Sequence, residues 1–247
     1  MPKFDNVMEN RQVPGTHFGY TGTRLADLAG ATEYTLCTIV LDESGSTDAF
    51  RLEMEKCIQE VVKACRYSPR ADNLMLRLVA FGTNHREVHG FKLLQSCNPQ
   101  DYDGCYKPGG TTALFDATCD AVEATKDYAK NLSDNDYLCN ACIFVLTDGG
   151  DNASKLTANS VKNSLGKCVS SEALESLVSI LVGVNVQDAS FKSFLDNFNK
   201  IAEFTQFIEL KDASEKTLAK LAAFVSKSIS SQSHALGSGA KSASLTF

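Results

Sequence analysis

The sequence predicts a single α/β domain of the doubly wound kind, with a central, mostly parallel sheet flanked by helices. Three observations carry this. Apolar runs rich in β-branched residues alternate along the chain with stretches whose apolar residues recur every three or four positions. That alternation implies right-handed strand-helix-strand crossovers, hence a parallel sheet covered on both faces. The length of 247 residues suits one such domain, and a chain of this size buries about 70% or more of its unfolded surface without a disulfide or metal to brace it. The composition, 43% apolar and 22% charged, is that of a globular protein, and no apolar run is long enough to span a membrane.

Residues 1–33 have no sustained period and are broken by Gly15, Gly19, Gly22 and Gly30, so an irregular arm packed on the domain is expected. The domain is expected over 34–230. Residues 34–41 form a continuous apolar, β-branched strand. Residues 48–66 read as a helix, with Phe50, Met54, Ile58, Val61, Val62 and Cys65 on one face and Pro69 as its stop. Strands follow at 74–81 and, as a short edge, at 87–91. A helix over 112–129 carries Leu114, Ala117, Ala121, Val122 and Ala124 on its apolar side. The run 141–146 is the most apolar strand. A weaker helix at 157–168, a strand at 175–184, a helix at 189–202 and a strand at 204–210 come next. The last helix spans 214–230, with Ser214 as its N-cap. Residues 231–247 are rich in Ser, Gly and Ala and are expected to be a disordered tail. Within it, residues 237–242 echo a phosphate-binding loop, but the spacing is wrong and no strand precedes them.

The net charge of −6 argues against non-specific nucleic-acid binding, which needs a basic face. Nine cysteines and an N-terminus without an apolar secretory stretch point to reduced thiols and a cytoplasmic setting. Cys139 and Cys142 form a lone C-x-x-C, half of a zinc site at best, and read as core residues of a buried strand. Cys97 and Cys105 flank a turn-rich loop. His17, His85, His89 and His234 are dispersed without metal spacing, which speaks against a zinc hydrolase. Ser44 is not in a G-x-S-x-G turn, so a serine hydrolase is disfavoured.

Ligands of open α/β sheets bind beyond the carboxyl ends of the strands. Three polar loops are expected there: Asp42-Glu43-Ser44-Gly45-Ser46, Pro108-Gly109-Gly110-Thr111-Thr112, and Thr147-Asp148-Gly149-Gly150-Asp151-Asn152. Their hydroxyls and carboxylates are hard oxygen donors suited to Mg²⁺. Ser44, Ser46 and Thr111 can coordinate through hydroxyls, with Asp42 and Asp148 acting through waters. Neutral direct ligands leave the ion most of its charge, so it should attract an incoming carboxylate. Taken singly, Asp42 is an ordinary strand-end turn residue. Asp151 and Asn152 read as loop-shaping residues, and Asp116 as a partner of the first helical turn. Phe191, Phe194 and Phe198 read as core. Tyr102, Tyr106 and Phe115 are candidates for the apolar rim of a partner site.

Asp42-x-Ser44-x-Ser46 after an apolar first strand, Thr111 in a Gly-Gly-Thr loop, and Thr147-Asp148-Gly149 after an apolar middle strand together resemble a von Willebrand factor type A (vWA) domain with its metal-ion-dependent adhesion site (MIDAS). The resemblance covers about residues 34–230 and implies an antiparallel edge strand, which suits 87–91. It implies five metal-site residues, Asp42, Ser44, Ser46, Thr111 and Asp148. It also implies Mg²⁺ (or Mn²⁺) as the ion and a protein partner that presents Asp or Glu. Thr112 adjoins Thr111, and either hydroxyl could face the ion. Glu43 fills the variable motif position and is expected to point away. Such domains without secretion signals serve as intracellular adaptors in larger assemblies, including partners of ring-shaped ATPases, and break no bond. The rival readings are a Mg²⁺-dependent phosphotransfer enzyme with Asp42 as nucleophile, and a structural subunit braced by its ion. The first expects a second Asp where Ser44 stands.

Overall fold

The computed structural model describes residues 7–28, 31–238 and 245–247. Eight strands make one sheet: β1 (Met8–Gln12), β2 (Gly19–Thr23), β3 (Glu33–Asp42), β4 (Leu74–Phe81), β5 (His85–Leu93), β6 (Leu138–Thr147), β7 (Leu177–Gly183) and β8 (Gln206–Glu209), in the order β1-β2-β5-β4-β3-β6-β7-β8. The helices are α1 (Arg51–Arg66), α2 (Leu114–Ser133), α3 (Ala158–Val169), α4 (Ala189–Ala202) and α5 (Glu215–Ser238). Strands β4, β3, β6, β7 and β8 run parallel, and β5 is antiparallel to β4.

The central strands are buried on both faces, so their side chains alternate between two cores. From β3, Tyr34, Leu36 and Val40 face α2, α3, α4 and the N-terminal hairpin, while Cys37, Ile39 and Leu41 face α1 and α5. Some polar groups inside these cores pair with one another: Thr38 and Thr125 share a hydroxyl hydrogen bond of 2.9 Å. Cys139 and Cys142, three residues apart on β6, lie in opposite cores and cannot close on one ion.

The N-terminal arm departs from expectation. Its residues 8–23 are a hairpin that joins the sheet, with β2 pairing alongside β5 through Gly22 and Phe91. The sheet edge therefore moves out from β5 to β1. The cause is long-range packing. Tyr20 sits edge-on to Phe91 and Tyr128 at 5.9 and 6.2 Å and donates to Asp127 at 2.7 Å. Thr21 donates to Glu87 from its backbone nitrogen and its hydroxyl, at 2.9 and 2.6 Å. Gly90 permits the approach, since a β-carbon there would stand 1.9 Å from the Thr21 carbonyl oxygen.

The last helix also exceeds expectation, continuing to Ser238. Gln232 and Ser233 are buried along it, the Gln232 carbonyl accepting from Asn140 at 2.7 Å and the Ser233 hydroxyl from Arg70 at 3.0 Å. Residues 239–244 of the expected tail, and with them most of the loop-like run 237–242, lie outside the described residues. Beyond them Leu245 packs against the α1–α5 core, and Phe247 meets Phe224 edge-on at 5.6 Å.

Candidate metal centre

Strand β3 delivers Asp42 to the carboxyl edge of the sheet, and β6 delivers Thr147 and Asp148 beside it. Past Asp42 the chain is caught by the end of β4, where Glu43 donates its backbone N–H to the Phe81 carbonyl at 2.7 Å. Ser44 then opens a short 3-10 turn, Gly45–Phe50, that leads into α1. Asp42 is 2% exposed. Its Oδ1 accepts from the Ser44 backbone at 2.8 Å and its Oδ2 from the Thr147 hydroxyl at 2.6 Å. The Ser44 and Ser46 hydroxyls lie 3.1 Å apart, and Ser46 donates to Asp148 Oδ1 at 2.9 Å. Asp42, Ser44, Ser46 and Asp148 thus meet in one network.

The Gly-Gly-Thr loop is sewn onto the same edge. Gly109 donates to the Glu43 carbonyl at 2.8 Å, and Gly45 to the Gly110 carbonyl at 3.2 Å. Gly110 takes a positive φ of 77°, and a β-carbon there would strike the Thr83 hydroxyl at 2.4 Å, so this position needs glycine on both counts. Thr111 is exposed and turned to Thr83: its backbone nitrogen and its hydroxyl both donate to the Thr83 hydroxyl at 3.1 Å. It bonds none of the other four residues. Its neighbour Thr112 is only 6% exposed. Its backbone donates to Asn152 at 2.8 Å, yet its hydroxyl forms no hydrogen bond among the described residues.

Burial pushes the Asp42 carboxyl up to about 6, against the opposing pull of its bonds to Ser44 and Thr147. It raises Asp148 too, again against its bond from Ser46. No Lys or Arg among the described residues pairs with either carboxylate. Nor do three His, Cys, Asp or Glu side chains gather into a metal cluster among them. What the edge offers is two carboxylates and a set of hydroxyls, a hard donor set that suits a small divalent cation better than a soft one.

The surrounding residues sort out physically. Glu43 points away from the site into an ion pair with Arg86 at 2.8 Å and accepts from the Lys107 backbone at 3.1 Å, bracing the loop that carries Gly109. Asp151 accepts from the backbone of Phe115 at 3.1 Å in the first turn of α2. Asp116 reaches back to accept from the backbones of Lys155 and Leu156, at 3.1 and 2.8 Å. Tyr102 and Tyr106 are buried rather than on a rim, Tyr106 donating to the Asp42 carbonyl. Phe115 packs inward on Phe198 at 4.9 Å. Phe198 is core as expected, whereas Phe191 is exposed beside Gly149. His89 is held between the Gly90 carbonyl and the Tyr102 hydroxyl, and burial lowers it to about 4, so it is neutral near pH 7.

The architecture is vWA-like: a mostly parallel Rossmann-type sheet between helices, with an antiparallel pair toward one edge. No protein-family model matches the chain, and no curated protein does. Solved structures with this fold include the PilB minor pilin from Streptococcus sanguinis, at 16% identity and a TM-score of 0.57, over 84% of this chain and 64% of that one. The pilus adhesin SpaC from Lactobacillus rhamnosus GG is similar at 8% identity and a TM-score of 0.59, over 93% and 33%. Proximal thread matrix protein 1 from the mussel byssus, solved with a zinc-occupied MIDAS motif, is similar at 19% identity and a TM-score of 0.52, over 79% and 46%. The chain spans between a third and two thirds of the length of these structures.

Proposed function

We propose that this chain is a protein-interaction module that grips an acidic side chain of its partner through a divalent cation at the edge of β3 and β6. The observation that carries the reading is the convergence of Asp42, Ser44, Ser46 and Asp148, with two half-buried or buried carboxylates that have no basic partner among the described residues. A bound ion would supply positive charge and an open coordination position for the partner's carboxylate. Mg²⁺ is the cellular ion of choice for oxygen donors, with Mn²⁺ as its laboratory stand-in. Ser44 and Ser46 would hold it through their hydroxyls, and Asp42 and Asp148 through waters. The zinc-occupied MIDAS of the mussel protein, and a pilin and an adhesin among the similar structures, favour this class. The role proposed is binding without bond breaking: Ser44 stands where a phosphotransfer site with Asp42 as nucleophile would place its second Asp. Nine unpaired thiols favour a reducing, cytoplasmic setting and an adaptor role in a larger assembly.

The functional test is selection of a displayed peptide library with a fixed central Glu on the Mg²⁺-loaded protein, eluted with chelator. Chelator-released binders that fail on Asp148→Ala are expected; binding indifferent to chelator contradicts the reading. The third hydroxyl is tested separately. Thr111 is engaged with Thr83 while the Thr112 hydroxyl is unspent, so Thr112→Ala should weaken Mn²⁺ binding about tenfold or more and Thr111→Ala much less. The reverse order, by titration calorimetry, would return the role to Thr111.

A further inference from the structure

Phe191 is an apolar side chain without a structural task. It is 46% exposed on the first turn of α4 and takes no part in either core, whereas Phe194 and Phe198, on the same helix, pack into the core that holds α2. Its ring leans on the loop after Asp148: its Cε1 would lie 4.0 Å from a β-carbon at Gly149. Phe194 stands under the next residue in the same way, 3.5 Å from a β-carbon at Gly150, and stacks on Phe115 at 6.0 Å between centroids. The two glycines put no side chain between these rings and the metal-site edge. One Cα step of 3.8 Å separates Gly149 from Asp148, so the Cε1 edge of this partly exposed ring comes within about 10 Å of the Asp148 backbone. An extended peptide covers that span in about three residues.

We infer that Phe191 is a specificity-determining residue: the partner carries an aromatic or leucine side chain within three residues of the acidic residue that the ion takes. This rests on the reading of the site given above. The occupant follows from continuity. A carboxylate anchored at the Asp148 loop brings its neighbours over Phe191, and an exposed aromatic ring gains most from covering another apolar side chain there. A polar neighbour would leave the ring wet and gain nothing.

The same fixed-Glu library, selected on the Mg²⁺-loaded protein, reads the flanking preference directly. Enrichment of Phe, Tyr, Trp or Leu within three positions of the Glu is expected. The best such peptide should bind Phe191→Ser about tenfold more weakly and Phe191→Leu within about threefold of the parent, with Mn²⁺ affinity and thermal midpoint unchanged in both variants. Chelator-sensitive peptides without an apolar flank, or with an affinity indifferent to Phe191→Ser, would overturn this inference and leave the metal-site reading standing. A selection that yields no chelator-sensitive peptide would overturn both.

Discussion

Asp42→Asn is expected to stabilise the ion-free protein near neutral pH while abolishing ion binding. Asp42 is buried at a strand end and its carboxyl is raised from 3.8 to about 6. A carboxyl raised in the fold holds its proton there between 3.8 and about 6 while the unfolded chain has released it. Stability from this group therefore falls as pH rises across that window and stays low above it. The shift corresponds to a cost of about 3 kcal/mol at pH 7. Asparagine carries no such charge. Its Oδ1 can still accept from Ser44, and Thr147, losing its carboxylate acceptor, can turn its hydroxyl to the Gly149 carbonyl at 3.2 Å. A gain of about 1–3 kcal/mol in urea unfolding at pH 7 is expected, shrinking toward zero near pH 4. Adding Mn²⁺ at about a thousand times its dissociation constant should reverse the order, because only the parent gains the roughly 4.1 kcal/mol of ligand stabilisation. A gain over the parent no larger at pH 7 than at pH 4, or a variant stabilised by Mn²⁺ like the parent, would contradict this account. On the proposed reading, the site gives up stability for ion binding.

The second large effect lies away from the site. Arg77, 1% exposed on β4, donates to Asp120 at 2.9 Å and to Glu87 at 2.8 Å, beneath the rings of Tyr20 and Phe91. Asp120 is 0% exposed. Removing it strands most of a buried guanidinium, so Asp120→Ala should cost about 3–5 kcal/mol in urea unfolding. The pairing is already imperfect, since Arg77 Nη1 and Asp120 Oδ1 have no hydrogen-bond partner among the described residues. Replacing both, with Arg77→Met and Asp120→Leu together, should therefore recover a good part of the loss. A cost below about 1 kcal/mol for the single variant would mean that Glu87 alone satisfies Arg77. The same cluster seats the N-terminal hairpin, because Glu87 also accepts from Thr21.

Strongly periodic segments were legible in the sequence. Strand β4 and helix α4 run over the residues their patterns name, 74–81 and 189–202. The hairpin was not, because Met8–Gln12 and Gly19–Thr23 have no alternation; they are strands through contacts with Phe91, Tyr128 and Glu87, far away in the chain. The extension of α5 was hidden for a similar reason. A Ser-rich composition reads as disorder until Asn140 and Arg70 are found waiting for Gln232 and Ser233. At the site, strand ends and glycines placed Asp42, Ser44, Ser46 and Asp148 correctly on one edge. The surroundings of Thr111 were not readable, since they depend on the positive φ of Gly110 and on Thr83, which takes the Thr111 hydroxyl as a donor. Phe191 fitted a helical stripe, but that stripe turns its first ring out beside Gly149.

The most direct test of the metal centre is calorimetric titration of Mn²⁺ into the protein beside Asp148→Ala and Ser44→Ala. One saturable ion per chain, lost in both variants, is the predicted result. An ion that binds equally well to all three proteins would place the metal elsewhere and contradict the site.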